Sequence, residues 1–151
     1  MIDLNVRALV ELTRLFWPEI LKNKRGGVLN VASTAAFQPG PFMAVYCATK
    51  AFVLSFTEAL WEEARGSGVK VSCLCPGATE SAFHKRAAPK ICADARGMTS
   101  AGRVGRLGYG AFQANRRVIV AGAGNALMAG SVAFLPRSLV LRVARQALSS
   151  G

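Results

Sequence analysis

A tyrosine and a lysine four residues apart, Tyr46 and Lys50, stand inside the run FMAVYCATKAFVLSFTEALWEEAR. On a helix that spacing puts both side chains on one face, a single turn apart, where they can reach a common pocket. A neighbouring cation favours the phenolate, so a phenol that ordinarily titrates near about 10 is drawn towards neutrality and becomes usable as a general acid or base. Ser33 lies thirteen residues before Tyr46 and directly follows the apolar run Val28 to Ala32. That is the strand end at which open α/β sheets hold their ligands. Each feature alone has an ordinary alternative, since a solvent-facing pair shares the spacing and a hydroxyl after a strand also serves as a helix cap. Only the combination argues for a reactive centre.

The elements that would position these residues follow from periodicity. Residues 3–22 place apolar side chains at three- and four-residue intervals behind Asp3, a suitable N-cap, which predicts a helix kinked or broken at Pro18. Gly26-Gly27 ends it, and Val28 to Ala32 reads as a short strand buried on both faces. After Pro39, Gly40 and Pro41, residues 42–65 predict a long helix closed by Gly66-Ser67-Gly68, and residues 69–75 a second strand stopped by Pro76-Gly77. Strand, helix, strand is a βαβ unit, so the strands should be parallel within an α/β, doubly wound sheet. From Ala78 to Arg117 the pattern weakens into a polar, glycine-bearing region expected to hold short helices under a loop. Residues 118–121 then offer a last strand, and the tail to Gly151 reads as helical and basic.

With 151 residues, 52% hydrophobic and 18% charged, the chain has the make-up of one globular domain. Its formal charge of +11 is unevenly placed: residues 1–83 carry a net +1, and residues 84–151 hold eleven Lys or Arg against the single acid Asp94. Such a one-signed segment attracts anions, which include a phosphorylated cofactor, a membrane surface or nucleic acid, or else forms a solvated basic face. The scattered Cys47, Cys73, Cys75 and Cys92 do not make a secreted disulfide framework, and a reducing, cytoplasmic setting is expected. Cys73 and Cys75 share one face of a strand and should pack. One histidine, His84, leaves no zinc spacing, so no metal is expected. The uncharged stretch from Val118 to Pro136 is interrupted by Gly122, Gly124, Gly130 and Asn125 and reads as strand plus helix, not a membrane span.

The segment NVASTAAFQPGPFMAVYCATK resembles the short-chain dehydrogenase/reductase family, whose active centre is a serine after a strand followed about a dozen residues later by Y-x-x-x-K. Two further segments resemble the family in the right order. MIDLNVRAL is similar to the start of its fourth helix, where Asn5 matches the asparagine of the catalytic tetrad. CPGATES is similar to its P-G-x-x-x-T turn, with Ser81 in place of threonine. The resemblance is strong over residues 1–83 and loose over 84–121. It implies that Tyr46 protonates a carbonyl oxygen as a nicotinamide cofactor, NADP or NAD, delivers hydride, while Ser33 hydrogen-bonds that oxygen. Lys50 would depress the Tyr46 pKa and hold the nicotinamide ribose, Asn5 would anchor a water joining Lys50 to solvent, and Pro76, Gly77 and Ser81 would contact the cofactor. The resemblance also implies a small apolar carbonyl or alcohol substrate and a homo-oligomer formed through the long helix bearing Tyr46.

The sequence departs from the family in having no T-G-x-x-x-G-x-G turn, whose glycines let backbone N–H groups approach the cofactor pyrophosphate. VIVAGAGNAL is no substitute, because Leu127 stands at the third glycine position and no acid follows about 20 residues on. The expectation is therefore a partial Rossmann-like sheet of the later strands only, with the N-terminal cofactor-binding half missing, Met1 an internal methionine and the chain a fragment. Residues 1–121 would be the catalytic half and 122–151 a basic tail. Such a half-sheet should expose an apolar edge and face. Two other classes compete: a catalytically silent half-domain that binds a partner, and a protein attached peripherally to a membrane surface by its tail. Between Asn125 and Ser150, Leu127, Phe134, Leu135, Leu139, Val140 and Val143 alternate with Arg137, Arg142 and Arg145. That pattern suits anionic lipid and also packing across an oligomer interface, which is the favoured reading. Nucleic acid is disfavoured, because stacking aromatics are not interleaved with the arginines.

Overall fold

The computed structural model describes residues 1–80 and 98–149. Its central strand, β2 (Lys70–Cys75), is buried at every position from Val71 to Cys75. The strand's polar residue is accommodated because the Ser72 hydroxyl donates to the Arg116 carbonyl at 2.7 Å. On one side β1 (Gly27–Val31) pairs parallel to it, with Gly27 opposite Lys70 and Val31 opposite Leu74. On the other side lies β3 (Val118–Val120), also parallel, with Cys75 opposite Val120. The long helix α2 (Ala44–Glu63) connects β1 to β2, and α3 (Ala101–Gln113) connects β2 to β3. The protein is thus α/β, with a three-stranded parallel sheet in the order β1-β2-β3.

Alternation along β2 sorts the core into three layers. Val71, Cys73 and Cys75 face α2, packing with Val53, Leu54, Leu60 and Ala64, and with Trp17 and Leu21 of α1 (Ala8–Asn23). Leu74 points the other way, onto Val104 of α3 and Ile119 of β3. Gly108 makes the second packing possible, since a Cβ there would stand 2.6 Å from Leu74 Cδ2.

Several expectations are corrected. Of the kink or break expected at Pro18 the break is absent, since helix α1 continues through that residue, and the helix is preceded by a π-helical turn, Asp3–Arg7. Helix α3 is a single 13-residue element instead of short helices, because Val104, Gly108 and Ala111 recur at helical spacing along its sheet-facing side. Residues 81–97 of that region lie outside the described residues. Strand β1 is not buried on both faces: it is half-buried, and Val31 is 51% exposed. No strand among the described residues covers its outer edge. A cavity of about 560 Å³ runs along that edge, walled by Leu9, Leu12, Phe16 and Ile20 on one side and Val28 and Leu29 on the other. The expected exposed apolar edge is therefore present. The tail forms two helices, α4 (Ala123–Val132) and α5 (Arg137–Ser149).

Helix α2 is fastened to β1 by a bond between Asn30 Nδ2 and Thr57 Oγ1 of 3.0 Å, and the fully buried Thr57 hydroxyl in turn donates to the Val53 carbonyl. Replacing Thr57 with valine keeps the shape and removes the acceptor. We expect Thr57→Val to cost about 1–3 kcal/mol in urea denaturation, the penalty of an unsatisfied amide. A loss under about 0.5 kcal/mol would show that this tether does not hold the helix.

Candidate active site

The parallel register brings the C-terminal ends of all three strands to one edge, so Ser33, Pro76 and Ala121 follow their strands side by side. Beyond β1 the chain is extended at Ser33 (φ −170°, ψ 162°) and then tightens into a 3-10 turn, Thr34–Ala36. Ser33 Oγ accepts the Ala35 N–H at 3.2 Å and lies 3.5 Å from the Pro76 carbonyl oxygen, longer than a strong hydroxyl bond. Thr34 N–H donates to that same carbonyl at 2.9 Å. The serine thus caps a turn, as the ordinary reading of its position would have it. Its weakly engaged proton is also available to a better acceptor.

Tyr46 and Lys50 occupy the first two turns of α2. The Lys50 ammonium donates to the Val31 carbonyl at 2.9 Å and stands 5.9 Å from the centre of the Tyr46 ring, within cation–π range. Burial lowers the Lys50 pKa from the usual lysine value, because taking the ammonium out of water disfavours its charged form. Beneath it lie the thiols of Cys73 and Cys75, 3.9 Å apart and fully buried. The contact with Cys73, together with burial, pushes the Cys75 pKa up and keeps it a thiol.

Asn5 sits in the π-helical turn, a wider turn often found at functional positions. Its amide Nδ2 donates to Thr49 Oγ1 at 3.1 Å, and Thr49 Oγ1 donates to the Tyr46 carbonyl at 2.8 Å. Asn5 is thereby joined through one buried hydroxyl to the turn of α2 that carries Tyr46 and Lys50. At the end of β2, a Cβ on Gly77 would run into the side-chain amide of Asn125, whose Nδ2 donates to the Ala121 carbonyl at 2.7 Å. Thr79 Oγ1 donates to the Gly77 carbonyl at 3.0 Å. Ser81 lies outside the described residues.

The fold therefore gathers Asn5, Tyr46 and Lys50 at the start of α2, and Ser33 with Pro76 and Gly77 at the adjoining strand ends. Sequence reasoning missed Thr49, Asn125 and the Val31 carbonyl. Thr49 carries no reactive group and shows its role only through its two partners. Asn125 had a legible signal, an amide in the first turn of a helix that follows a strand, yet it stands in a stretch read for its glycines.

The model of the family described as short chain dehydrogenase matches residues 1–91. The chain belongs to the short-chain dehydrogenase family. It is 41% identical over 70 residues to a very-long-chain 3-oxoacyl-CoA reductase of Coprinopsis cinerea, a match covering 46% of this chain and 21% of that protein. It is 40% identical over 73 residues to the ketoacyl reductase HetN of Nostoc sp., covering 48% and 25%. Among solved structures, a short-chain dehydrogenase from Sphingobium yanoikuyae in complex with NADPH superposes with a TM-score of 0.76 at 27% identity, over 99% of this chain and 55% of that one. The 3-ketoacyl-(acyl-carrier-protein) reductase of Brucella melitensis, complexed with NADH, gives 0.67 at 27% identity, over 83% and 56%. This short-chain dehydrogenase chain spans about a quarter or less of the length of these two curated relatives and about half of the solved structures.

Two outcomes are expected of the site itself. A double-mutant cycle with Asn5→Ala and Thr49→Val, followed by denaturation, should show a coupling of about 0.5–1.5 kcal/mol for their hydrogen bond; strict additivity would mean that the bond is not made in solution. In an NMR titration, Lys50 should lose its proton at lower pH than an ordinary lysine, since folding withdraws it from water. A titration at the ordinary lysine value would contradict the burial that lowers it.

Proposed function

We propose that Asn5, Ser33, Tyr46 and Lys50 form the acid–base centre of an NAD(P)-dependent oxidoreductase that interconverts a small apolar carbonyl compound and its alcohol. The observation that carries this reading is the position of Lys50, held by the Val31 carbonyl at the strand end while its charge lies over the Tyr46 ring. A cation fixed there favours the phenolate form of Tyr46, which is what a phenol needs to exchange a proton near neutrality. Tyr46 then gives its proton to the carbonyl oxygen of the substrate, or removes one from the alcohol in reverse. Ser33 Oγ donates a hydrogen bond to the same oxygen and stabilises its developing charge. Asn5, held to Thr49 through Nδ2, keeps its amide oxygen for a water that returns protons from solvent by way of Lys50.

The residues present suit the nicotinamide end of NADP or NAD. Lys50 has further N–H donors besides the one given to Val31, fit for ribose hydroxyls. Gly77 leaves the turn after β2 without a side chain, Pro76 precedes it, and Ser81 follows four residues later in the sequence. Bound there, the cofactor would supply or accept the hydride. No segment of this chain suits the pyrophosphate, because the glycine-rich turn that would hold it is not in the sequence. The activity is thus that of a protein in which the other half of the nucleotide site is also present.

Residues 1–121 would form the catalytic half and 122–151 an appended tail. The outward face of α2 carries exposed Val45 and Phe52, which supports association of copies through that helix. Free, buried thiols at Cys47, Cys73 and Cys75 support a reducing, cytoplasmic setting. Among the described residues no helix is long and apolar enough to cross a membrane. The curated relatives named as 3-oxoacyl-CoA and ketoacyl reductases make a 3-oxoacyl thioester the first substrate to try. The open edge of β1 favours one other reading, a silent half-domain that lends this edge to a partner.

The test is oxidation of NADPH or NADH by the complete gene product, with 3-oxoacyl thioesters and apolar ketones as substrates. Tyr46→Phe should lower kcat by about 10²–10⁴-fold. Lys50→Ala should weaken cofactor binding and move the alkaline-activated limb of alcohol oxidation to higher pH, since the phenol loses the cation that favours its ionised form. A Tyr46→Phe enzyme that keeps most of its rate would falsify the assignment. Tight partner binding with no turnover would favour the silent half-domain.

A further inference from the structure

The two tail helices present an apolar and basic surface that the catalytic reading leaves without a role. Helix α5 satisfies its own packing with Val140 and Ala144, one turn apart and both buried. Leu139 and Val143, also one turn apart, face outward beside that buried stripe. At the turn between α4 and α5, Phe134 is 90% exposed and Leu135 lies beside it, while Leu127 of α4 is 77% exposed. A solvated helix pair has no use for so many outward apolar side chains. Arg142 and Arg145, one turn apart, flank the apolar strip of α5, and Arg137 opens the helix next to the exposed turn.

Charge decides what covers this surface. Residues 98–149 contain seven arginines and no acidic residue. A second copy docked symmetrically through the same patch would bring arginine against arginine with no carboxylate from either tail to pair them. An anionic lipid surface supplies what is missing: phosphate and carboxylate groups for the guanidinium forks, and a hydrocarbon boundary for Phe134, Leu139 and Val143. We propose that the tail helices α4 and α5, led by Phe134 at the turn between them and accompanied by Arg137, Arg142 and Arg145, dock the protein on the surface of an anionic bilayer. These helices lie in the headgroup region and do not cross the membrane. The inference does not depend on the chemistry proposed for Tyr46.

Sedimentation with vesicles tests it, using the protein as expressed and vesicles of phosphatidylcholine with or without phosphatidylserine. The protein should bind the phosphatidylserine vesicles, bind the neutral ones at least about ten-fold more weakly, and be released by added salt. Phe134→Ser alters a side chain that is 90% exposed and should reduce binding without changing the circular dichroism or the melting temperature. Arg142→Gln with Arg145→Gln should lower the affinity by about ten-fold or more. No binding to either vesicle, equal binding to both, or binding untouched by Phe134→Ser would overturn the proposal. So would light scattering that showed an oligomer dissociated by Phe134→Ser, because a second copy would then be what occupies the patch.

Discussion

The parallel pairing of β1 with β2 is the constraint on which the rest of the structure depends. Parallel strands cannot be joined by a tight turn, so α2 must cross over the sheet and return, and its first turns arrive at the C-terminal ends of the strands. There the carbonyl of Val31 faces away from β2, whose ladder is continued by Ala32 and Thr34, and accepts the Lys50 ammonium. One backbone group on the uncovered side of an edge strand thus fixes a charged side chain, and the charge in turn faces the Tyr46 ring. The same edge gives Ser33 its place beside Pro76, since Thr34 and Ser33 both turn towards the carbonyl that ends β2.

Close approach of backbone to backbone makes the pairing possible. Gly27 opens β1 with φ +156°, and a Cβ at that position would collide with the backbone of Lys70. Further along, the apolar side chains of α2 on one face and Leu74 with Val104 on the other sandwich β2, so the central strand is dry from Val71 onwards. A lysine above such a strand is expensive to hold in its charged form, and the lowered Lys50 pKa expresses that cost. The cost is bearable because the ammonium meets a carbonyl and the ring of Tyr46 instead of unrelieved hydrocarbon.

Much of this was legible in the chain because the relevant signals are local. The glycines at 26–27 and 66–68, the β-branched runs and the four-residue interval of Tyr46 and Lys50 specify the βαβ unit and one face of its helix without reference to distant residues. What could not be read was set by tertiary contact. That β1 would be only half-buried follows from its lying at the edge of the sheet, whereas its own sequence would fit a central strand equally well. The continuity of α1 through Pro18 depends on packing by Trp17 and Leu21 against the Leu60 and Val71 cluster, which outweighs the missing N–H. Thr49 bonds a residue 44 positions away, joining Asn5 to α2, and Asn125 lies against Gly77, 48 positions away; no short-range pattern announces such contacts.

The two sides of the edge at which the strands end differ in how completely they are finished. On the side of β2 and β3, the turn at Gly77 is closed by Asn125, and Ala121 continues the ladder by donating its N–H to the Cys75 carbonyl. On the side of β1 the ladder stops, and an apolar trough between α1 and the strand lies open to solvent. The candidate site residues are each held by a partner within the described residues: Asn5 by Thr49, Lys50 by Val31, Ser33 by Ala35. Their arrangement therefore does not require the trough to be filled. Binding a dinucleotide is a different demand, because its phosphates need backbone N–H donors that glycine-rich turns supply and that this chain lacks. The acid–base chemistry proposed here and nucleotide affinity would thus be separable in this fold, the former built on a strand end and one helix, the latter dependent on what borders β1.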